Sequence, residues 1–382
     1  MSNAMLYPVV KDQKYGFINS QGELLVEPIY DLVGRFSEDR CIVEKLPADE
    51  DSIHQKYIDS RGQPFIAPTR LQGYINSSGQ EIIAVKHTPF CSSFSEGLAQ
   101  YADASEQLGF IDQWGEFKIN PQFNIEYEGK ASMGFSEGVA AVATDSGWKY
   151  INKEGEELFK NRFETAKRFQ DGYALVSQLQ EASQTESYLI ESFFFIDKEG
   201  QRLETIPCNI DGSTQGFRNG LCEVSLPAAG GKSEDNRIGF INTDGNLAFE
   251  ERFWDSSGFH QGLCIVQKSG GKCGVINTKG EWVIEPLYEQ IGLFNHGIAA
   301  FKQNQKWGLL NDRGEVILSP QFSFINSFIG YLPPSDPDPN PEFQELATAM
   351  IEEPGEKKRK KVKNVYINRA GEIVSPFDIS AS

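Results

Sequence analysis

Residues 14–43, KYGFINSQGELLVEPIYDLVGRFSEDRCIV, decide the fold, because their order of signals returns along the chain. Gly-Phe-Ile-Asn leads to a Gly three residues after the Asn, then to a strand-like run ending at a proline, an aromatic two residues on, and Phe-Ser-Glu. The same order stands in GFIDQWGEFKINPQF at 109–123 and in GVINTKGEWVIEPLY at 274–288. Such self-similarity marks a repeat architecture. The first quartet recurs from Gly16, Gly73, Gly109, Gly239, Gly274 and Gly308, with weaker copies from Lys56, Lys149, Phe194 and Val365. An aromatic and a β-branched residue ending in Asn/Asp-x-x-Gly read as a strand entering a tight turn: the short side chain caps the turn and Gly accepts positive φ.

The run after each turn ends at Pro28, Pro121, Pro286 or Pro320, with Tyr30, Phe123, Tyr288 or Phe322 two residues further on. Proline donates nothing to a ladder, so it terminates the strand or sits on its edge, and the aromatic is expected in a loop. The third column is Phe-x-x-Gly, at Phe94, Phe135, Phe169, Phe217, Phe259 and Phe294, with Phe36-Ser-Glu-Asp as a variant first copy. A small residue (Cys41, Ala99, Ala140, Ala174, Cys222, Cys264, Ala299) and a larger one two positions later share one strand face. Cys41, Cys222 and Cys264 are therefore small core residues by position. The expected unit is an antiparallel meander. Its turn glycines from Gly79 to Gly314 lie 36, 40, 45, 45, 35 and 34 residues apart. A unit so short buries its face only against a neighbour, with the Phe column plugging the seam.

Composition narrows the function classes. The 382 residues are ample for a large core, and 27 Phe with 36 Gly favour β structure. No apolar window approaches the roughly 18 residues of a membrane helix. Acids outnumber bases by 54 to 36, and a net charge of −18 repels nucleic acid and anionic membrane while favouring a basic protein partner. The N-terminus lacks the basic and apolar regions of a secretory signal, and Ser2-Asn3-Ala4 before Met5 resembles a cloning remnant, so residues 1–4 are set aside. The six cysteines show no Cys-x-x-Cys, which argues for a reducing, cytoplasmic setting.

These columns resemble the WG-repeat family of bacterial β-repeat proteins, whose unit looks like Lys-Trp-Gly-Phe-Ile-Asp, a turn, a strand ending near Pro, an aromatic, and Phe-Ser-Glu-Gly-Leu-Ala. The nominal Trp-Gly is kept at Trp307-Gly308, with Tyr15-Gly16 close to it. The resemblance implies an all-β array and supplies no catalytic residues to transfer. The expected architecture is a tandem repeat array of about eight to nine antiparallel meanders over residues 5–330, forming an open, curved solenoid, with a closed β-propeller as the alternative. Residues 49–72 read as an extra half-repeat. Residues 331–364, rich in Pro, acid and then base, read as a mobile insertion with a short helix at EFQELATAMIEE, and 365–382 as a terminal half-repeat and tail.

Chemistry has little to anchor it. His54, His87, His260 and His296 lack metal-ligand spacing, and no nucleophile elbow, phosphate loop or dinucleotide fingerprint is present, so neither metal nor cofactor is expected. Glu38, Glu96, Glu137 and Asp171 recur by repeat symmetry, whereas an active site is a single asymmetric constellation. The expected function is a non-catalytic scaffold whose acidic face binds a basic or extended protein, such as a toxin or effector. A glycan or cell-wall binder and a hydrolase embedded in the array are the alternatives. The candidate binding residues are Tyr30, Glu38, Glu96, Phe123, Glu137, Asp171, His260, Tyr288 and His296. Exposure of the four loop aromatics would favour sugar stacking, and burial would remove it.

Overall fold

A computed structural model describes residues 6–46, 54–58, 64–68, 71–87, 90–125, 134–183, 186–227, 237–268, 270–326, 346–353 and 361–374. The chain divides into two compact units, Met1–Glu157 with Val374–Ser382, and Leu158–Ile373. Every strand pairing in both is antiparallel, and the described residues contain no helix.

The first unit opens with a three-stranded sheet of β1 (Tyr7–Lys11), β2 (Lys14–Ile18) and β3 (Leu24–Tyr30). Then come β4 (Leu32–Ser37), β5 (Arg40–Lys45), β6 (His54–Ile58), β7 (Pro64–Pro68), β8 (Leu71–Ile75) and β9 (Glu81–His87). Strands β4-β5-β8-β9 form one sheet, while β6 and β7 pair only with each other, as an insertion between two strands that meet directly at Glu44↔Gln72 and Lys45↔Leu71. Strands β10 (Leu98–Ala102), β11 (Gln107–Asp112) and β12 (Phe117–Asn124) make the next meander. It touches β13 (Ala140–Thr144) and β14 (Gly147–Ile151) through one rung, Asn124↔Ala143.

The second unit continues the pattern. Its first sheets are β15 (Thr165–Ala166), β16 (Ala174–Ser183) and β17 (Glu186–Ile196), then β18 (Leu221–Leu226) with β19 (Arg237–Asn242). Two four-stranded meanders follow: β20 (Asp255–His260) to β23 (Trp282–Tyr288) through β21 (Leu263–Gln267) and β22 (Cys273–Asn277), and β24 (Gln290–Ile291) to β27 (Val316–Phe322) through β25 (Ile298–Gln303) and β26 (Lys306–Asn311). The last sheet is β28 (Phe324–Ile325), β29 (Leu346–Glu353) and β30 (Lys361–Asn368).

The expectation of an open solenoid is overturned: the fold is a seven-bladed β-propeller. The packing at the strand turns carries this correction. In the first unit Gly79 seats on Val26, Gly115 on Ile83 and Gly155 on Ile119, each turn resting on the outer strand of the preceding sheet. In the second, Gly280 seats on Phe249, Gly314 on Ile284 and Gly371 on Leu318. An open array would leave the first such turn bare. Instead a Cβ on Gly22 would stand 2.7 Å from the carbonyl oxygen of Val374, so the last described residue covers the first sheet.

The seams between sheets are aromatic, as the Phe column requires. Phe94 packs edge-to-face on Tyr74 at 5.1 Å, Phe135 on Phe110 at 4.9 Å, Phe217 on Phe195 at 4.9 Å and Phe259 on Phe240 at 5.1 Å. Each pair joins the third column of one copy to the first column of the copy before it. Cys41, Cys222 and Cys264 lie fully buried in these clusters.

Two local readings change. The prolines do not end their strands; β3, β12, β23 and β27 run through them to the aromatic. Register shows why: Tyr15 faces Tyr30 but Phe17 faces Val26, so the outer strand bulges opposite Gly16 and carries Pro28 in the bulge, where no ladder donor is needed. Segment 346–353 is a strand rather than a helix, because β30 offers it eight antiparallel rungs from Leu346↔Asn368 to Glu353↔Lys361. The expected insertion 331–364 therefore contains paired strand at 346–353 and 361–364; the rest of it, and the basic residues before 361, lie outside the described residues.

Candidate functional site

The Phe-x-x-Gly segments hold most of the polar side chains singled out by sequence. Each is a two-residue hairpin. Ser95 and Leu98 exchange both backbone hydrogen bonds, at 2.9 and 3.2 Å, and the residues between them, Glu96 (φ 54°) and Gly97 (φ 86°), both have positive φ. That is a type I′ turn, whose twist matches the flanking strands. Glu137, Asp171, Asn219, Gln261 and His296 take the same left-handed position before a glycine, and Glu38 takes it before Asp39 (φ 63°).

The side chain at that position reaches into the next copy. Glu38 accepts a hydrogen bond from the Gly97 N–H at 2.7 Å, and Glu96 from the Gly138 N–H at 2.9 Å. In the second unit Asp171 accepts from the Gly220 N–H at 2.6 Å, and Asn219 from the Gly262 N–H at 3.1 Å. One position earlier, the hydroxyls of Ser37 and Ser95 donate to the carbonyls of Phe94 and Phe135, both at 2.6 Å. These four hairpins are thus tied to their successors. Because Asn219 does with an amide what the others do with a carboxylate, the position requires an acceptor rather than a negative charge. Lys153 adds an ion pair to Glu96 at 3.2 Å.

The other candidates separate. His260 is buried and precedes the turn, whereas His296 is exposed within it; His296 Nδ1 lies 2.7 Å from Asn295 Oδ1, and its carbonyl accepts from Arg369 at 2.6 Å. Glu137 is exposed in its turn. Tyr30, Phe123, Tyr288 and Phe322 lie at or next to the ends of their strands at 3, 2, 9 and 7% exposure, so none offers a ring face to a sugar. The acid following the aromatic is also engaged: Asp31 accepts from Lys14 and from the Leu46 N–H, and Glu289 from the Asn304 N–H at 2.8 Å. Beyond Asn19, Asn152, Asn277, Asn311 and Asn368, a Glu four residues on accepts from the amide, as in Asn19 to Glu23 at 2.8 Å and Asn277 to Glu281 at 2.9 Å.

Sequence reasoning missed Asn219 and the two serine latches. The signal was present, since Asn-Gly or Asp-Gly before an apolar strand is the strongest short hairpin mark. Its bonding partner could not be read locally, lying 59 residues away for Glu38 and 43 for Asn219. Among the described residues, no three His, Cys, Asp or Glu side chains are grouped to hold a metal ion, and no helix is long and apolar enough to cross a membrane.

A family model described as WG containing repeat matches residues 15–45, 150–179, 238–273, 274–307 and 307–330. No curated protein matches the chain. Among solved structures, one described as the eukaryotic initiation factor is similar at 10% identity and a TM-score of 0.52, covering 94% of this chain and 93% of that one. The computationally designed Ika8 protein follows at 9% identity and 0.41, covering 83 and 91%. BamB from Moraxella catarrhalis stands at 12% and 0.35, covering 75 and 86%. At 10% identity the first likeness shows a shared fold and nothing about function.

Proposed function

The chain belongs to the family of WG-containing repeat proteins, and from that premise we propose that it is a non-catalytic scaffold whose acidic surface binds a basic protein in the cytoplasm. The observation that carries this reading is the engagement of the repeated polar side chains: Glu38, Glu96 and Asp171, the residues best placed to do acid-base chemistry, each hold the next hairpin's backbone. What remains for recognition is a large β surface with a net charge of −18. An acidic field of this size raises the encounter rate with cations and rejects anionic partners. Six thiols, none in a disulfide, support a reducing compartment.

The test is affinity capture on the full chain, eluting with rising salt and identifying each released protein by mass spectrometry. A stoichiometric basic protein that leaves as salt rises is expected, since surface charge attraction is screened within about 10 Å at 0.1 M salt. Capture of neutral or acidic proteins alone, held independently of salt, would overturn the reading.

A further inference from the structure

Strands β16 and β17 are ten and eleven residues long, whereas the second and third strands of the other sheets have five to eight. They pair from Ala174↔Ile196 out to Ser183↔Glu186, so the hairpin overshoots its sheet by about 15 Å at roughly 3.3 Å per residue. The inner strand β15 meets β16 only at Val176 and Ser177. On the outer side of β17, the described residues supply the Ile196↔Arg202 bridge, the hydrogen bond from the Leu203 N–H to the Phe195 carbonyl, and the Arg202 guanidinium 4.7 Å over the Phe194 ring. Residues 186–194 therefore form a sheet edge with no strand beside it among the described residues.

Folded proteins guard such edges with proline, lysine or bulges. This chain does so elsewhere, placing Pro28, Pro121, Pro286 and Pro320 in the outer strands β3, β12, β23 and β27. The β17 sequence, ESYLIESFFFI, has no proline or lysine, and its register shift against β16 lies at the hairpin end, between Ser183↔Glu186 and Glu181↔Leu189. Ile190 is 47% exposed on it and Leu179 46% on β16. Residues 174–196 contain Glu181, Glu186 and Glu191 and no Lys or Arg. A strand that completes this edge must bring positive charge, and a second copy would set glutamate against glutamate.

We propose that the outer edge of β17 is the docking strip for the basic partner, which adds an extended segment of alternating basic and apolar residues as a further strand. This inference rests on the scaffold reading above. Main-chain hydrogen bonds to residues 186–194 supply affinity, while exposed Ile190 and the net negative charge of the segment favour apolar and basic residues in the added strand.

The experiment uses the full chain and a fluorescent peptide of alternating Lys and Val, about a dozen residues long, followed by anisotropy and by hydrogen exchange. Three variants accompany it: Leu189→Pro, Ile190→Pro and Glu186→Lys. Adjacent strand residues point their N–H groups to opposite sides, so one proline variant removes an outward donor and keeps the hairpin and its melting temperature. The expected result is slowed exchange at 186–194 and at least tenfold weaker binding in that proline variant and in Glu186→Lys. No peptide binding, protection confined to other strands, or an affinity unchanged by both variants would overturn the inference. Running the salt-graded capture with Glu186→Lys separates the two readings. A basic protein retained equally by variant and wild type removes the β17 site and leaves the scaffold standing, whereas a wild-type chain that captures no basic protein removes the scaffold itself.

Discussion

Gly109 and Gly97 are both glycines of the repeat, yet they are required for different reasons. A Cβ on Gly109 would lie 2.5 Å from the carbonyl oxygen of Ile119, where the outer strand bulges toward it; one on Gly97 would meet nothing within 4 Å, but the residue sits at φ +86°. Gly109→Ala forces backbone apart and is expected to cost about 3 kcal/mol, while Gly97→Ala carries only the left-handed penalty of about 1 kcal/mol. Urea denaturation midpoints check this, and equal losses would refute the close-approach account. The cysteines allow a second prediction. Burial pushes the thiols of Cys91 and Cys264 up to about 12, and those of Cys41 and Cys222 also upward. Thiolate is the reactive form, so at pH 8 these four hold almost none. Cys208 and Cys273, which are only partly buried, are expected to take up iodoacetamide first in the native protein, with the buried four labelled only on unfolding. Peptide mass spectrometry after a short pulse decides, and rapid labelling of Cys41 would contradict the packing.

The hairpin-to-hairpin bonds belong to the scale of the element. Asp171→Asn keeps an acceptor for the Gly220 N–H, as Asn219 does for Gly262, and is expected to be close to neutral in stability. Asp171→Ala removes the acceptor and is expected to lose about 1 kcal/mol. Thermal melts of the pair separate an acceptor requirement from a charge requirement. The β6–β7 hairpin is likewise outside the blade it interrupts, since β5 and β8 pair without it. Replacing residues 47–69 with a short turn is expected to leave the circular dichroism spectrum and cooperative unfolding in place; loss of folding would show that the insertion supports its neighbours. Strand β29 marks where local reading failed. Leu, Ala, Met and Glu in LATAMIEE are strong helix formers, but Ala347, Ala349 and Ile351, alternating along the strand, pack against Val365 and Ile367 of β30 and the tertiary partner prevails.

At the scale of the whole molecule, the contact between Gly22 and Val374 joins residues from the two ends of the described chain. Truncation after Ile373 uncovers the first sheet. Hydrogen exchange is expected to quicken in β1, β2 and β3 while β21, β22, β25 and β26 keep their protection, because the inner sheets retain both neighbours. Uniform acceleration along the chain would instead mean a single cooperative unit, and no acceleration would remove Val374 from any stabilising role.

The amino-acid order alone determined the repeat, the strands and their turns, and the face each strand buries, because these rest on spacings of two to four residues: aromatic and β-branched runs, Asn-x-x-Gly turns, the Ala/Cys slot. It also placed Phe94, Phe135, Phe217 and Phe259 in the seams, since a short sheet has only its neighbour to pack on. The tertiary structure decided the rest. Neighbouring sheets pack alike in a solenoid and in a propeller, so local pattern is the same for both, and the contact that distinguishes them lies between Gly22 and Val374. The fate of the loop carboxylates was decided in the same way. Residue type and spacing made Glu38, Glu96 and Asp171 look available, but the N–H groups that engage them come from the next copy, at a distance along the chain where sequence spacing carries no information.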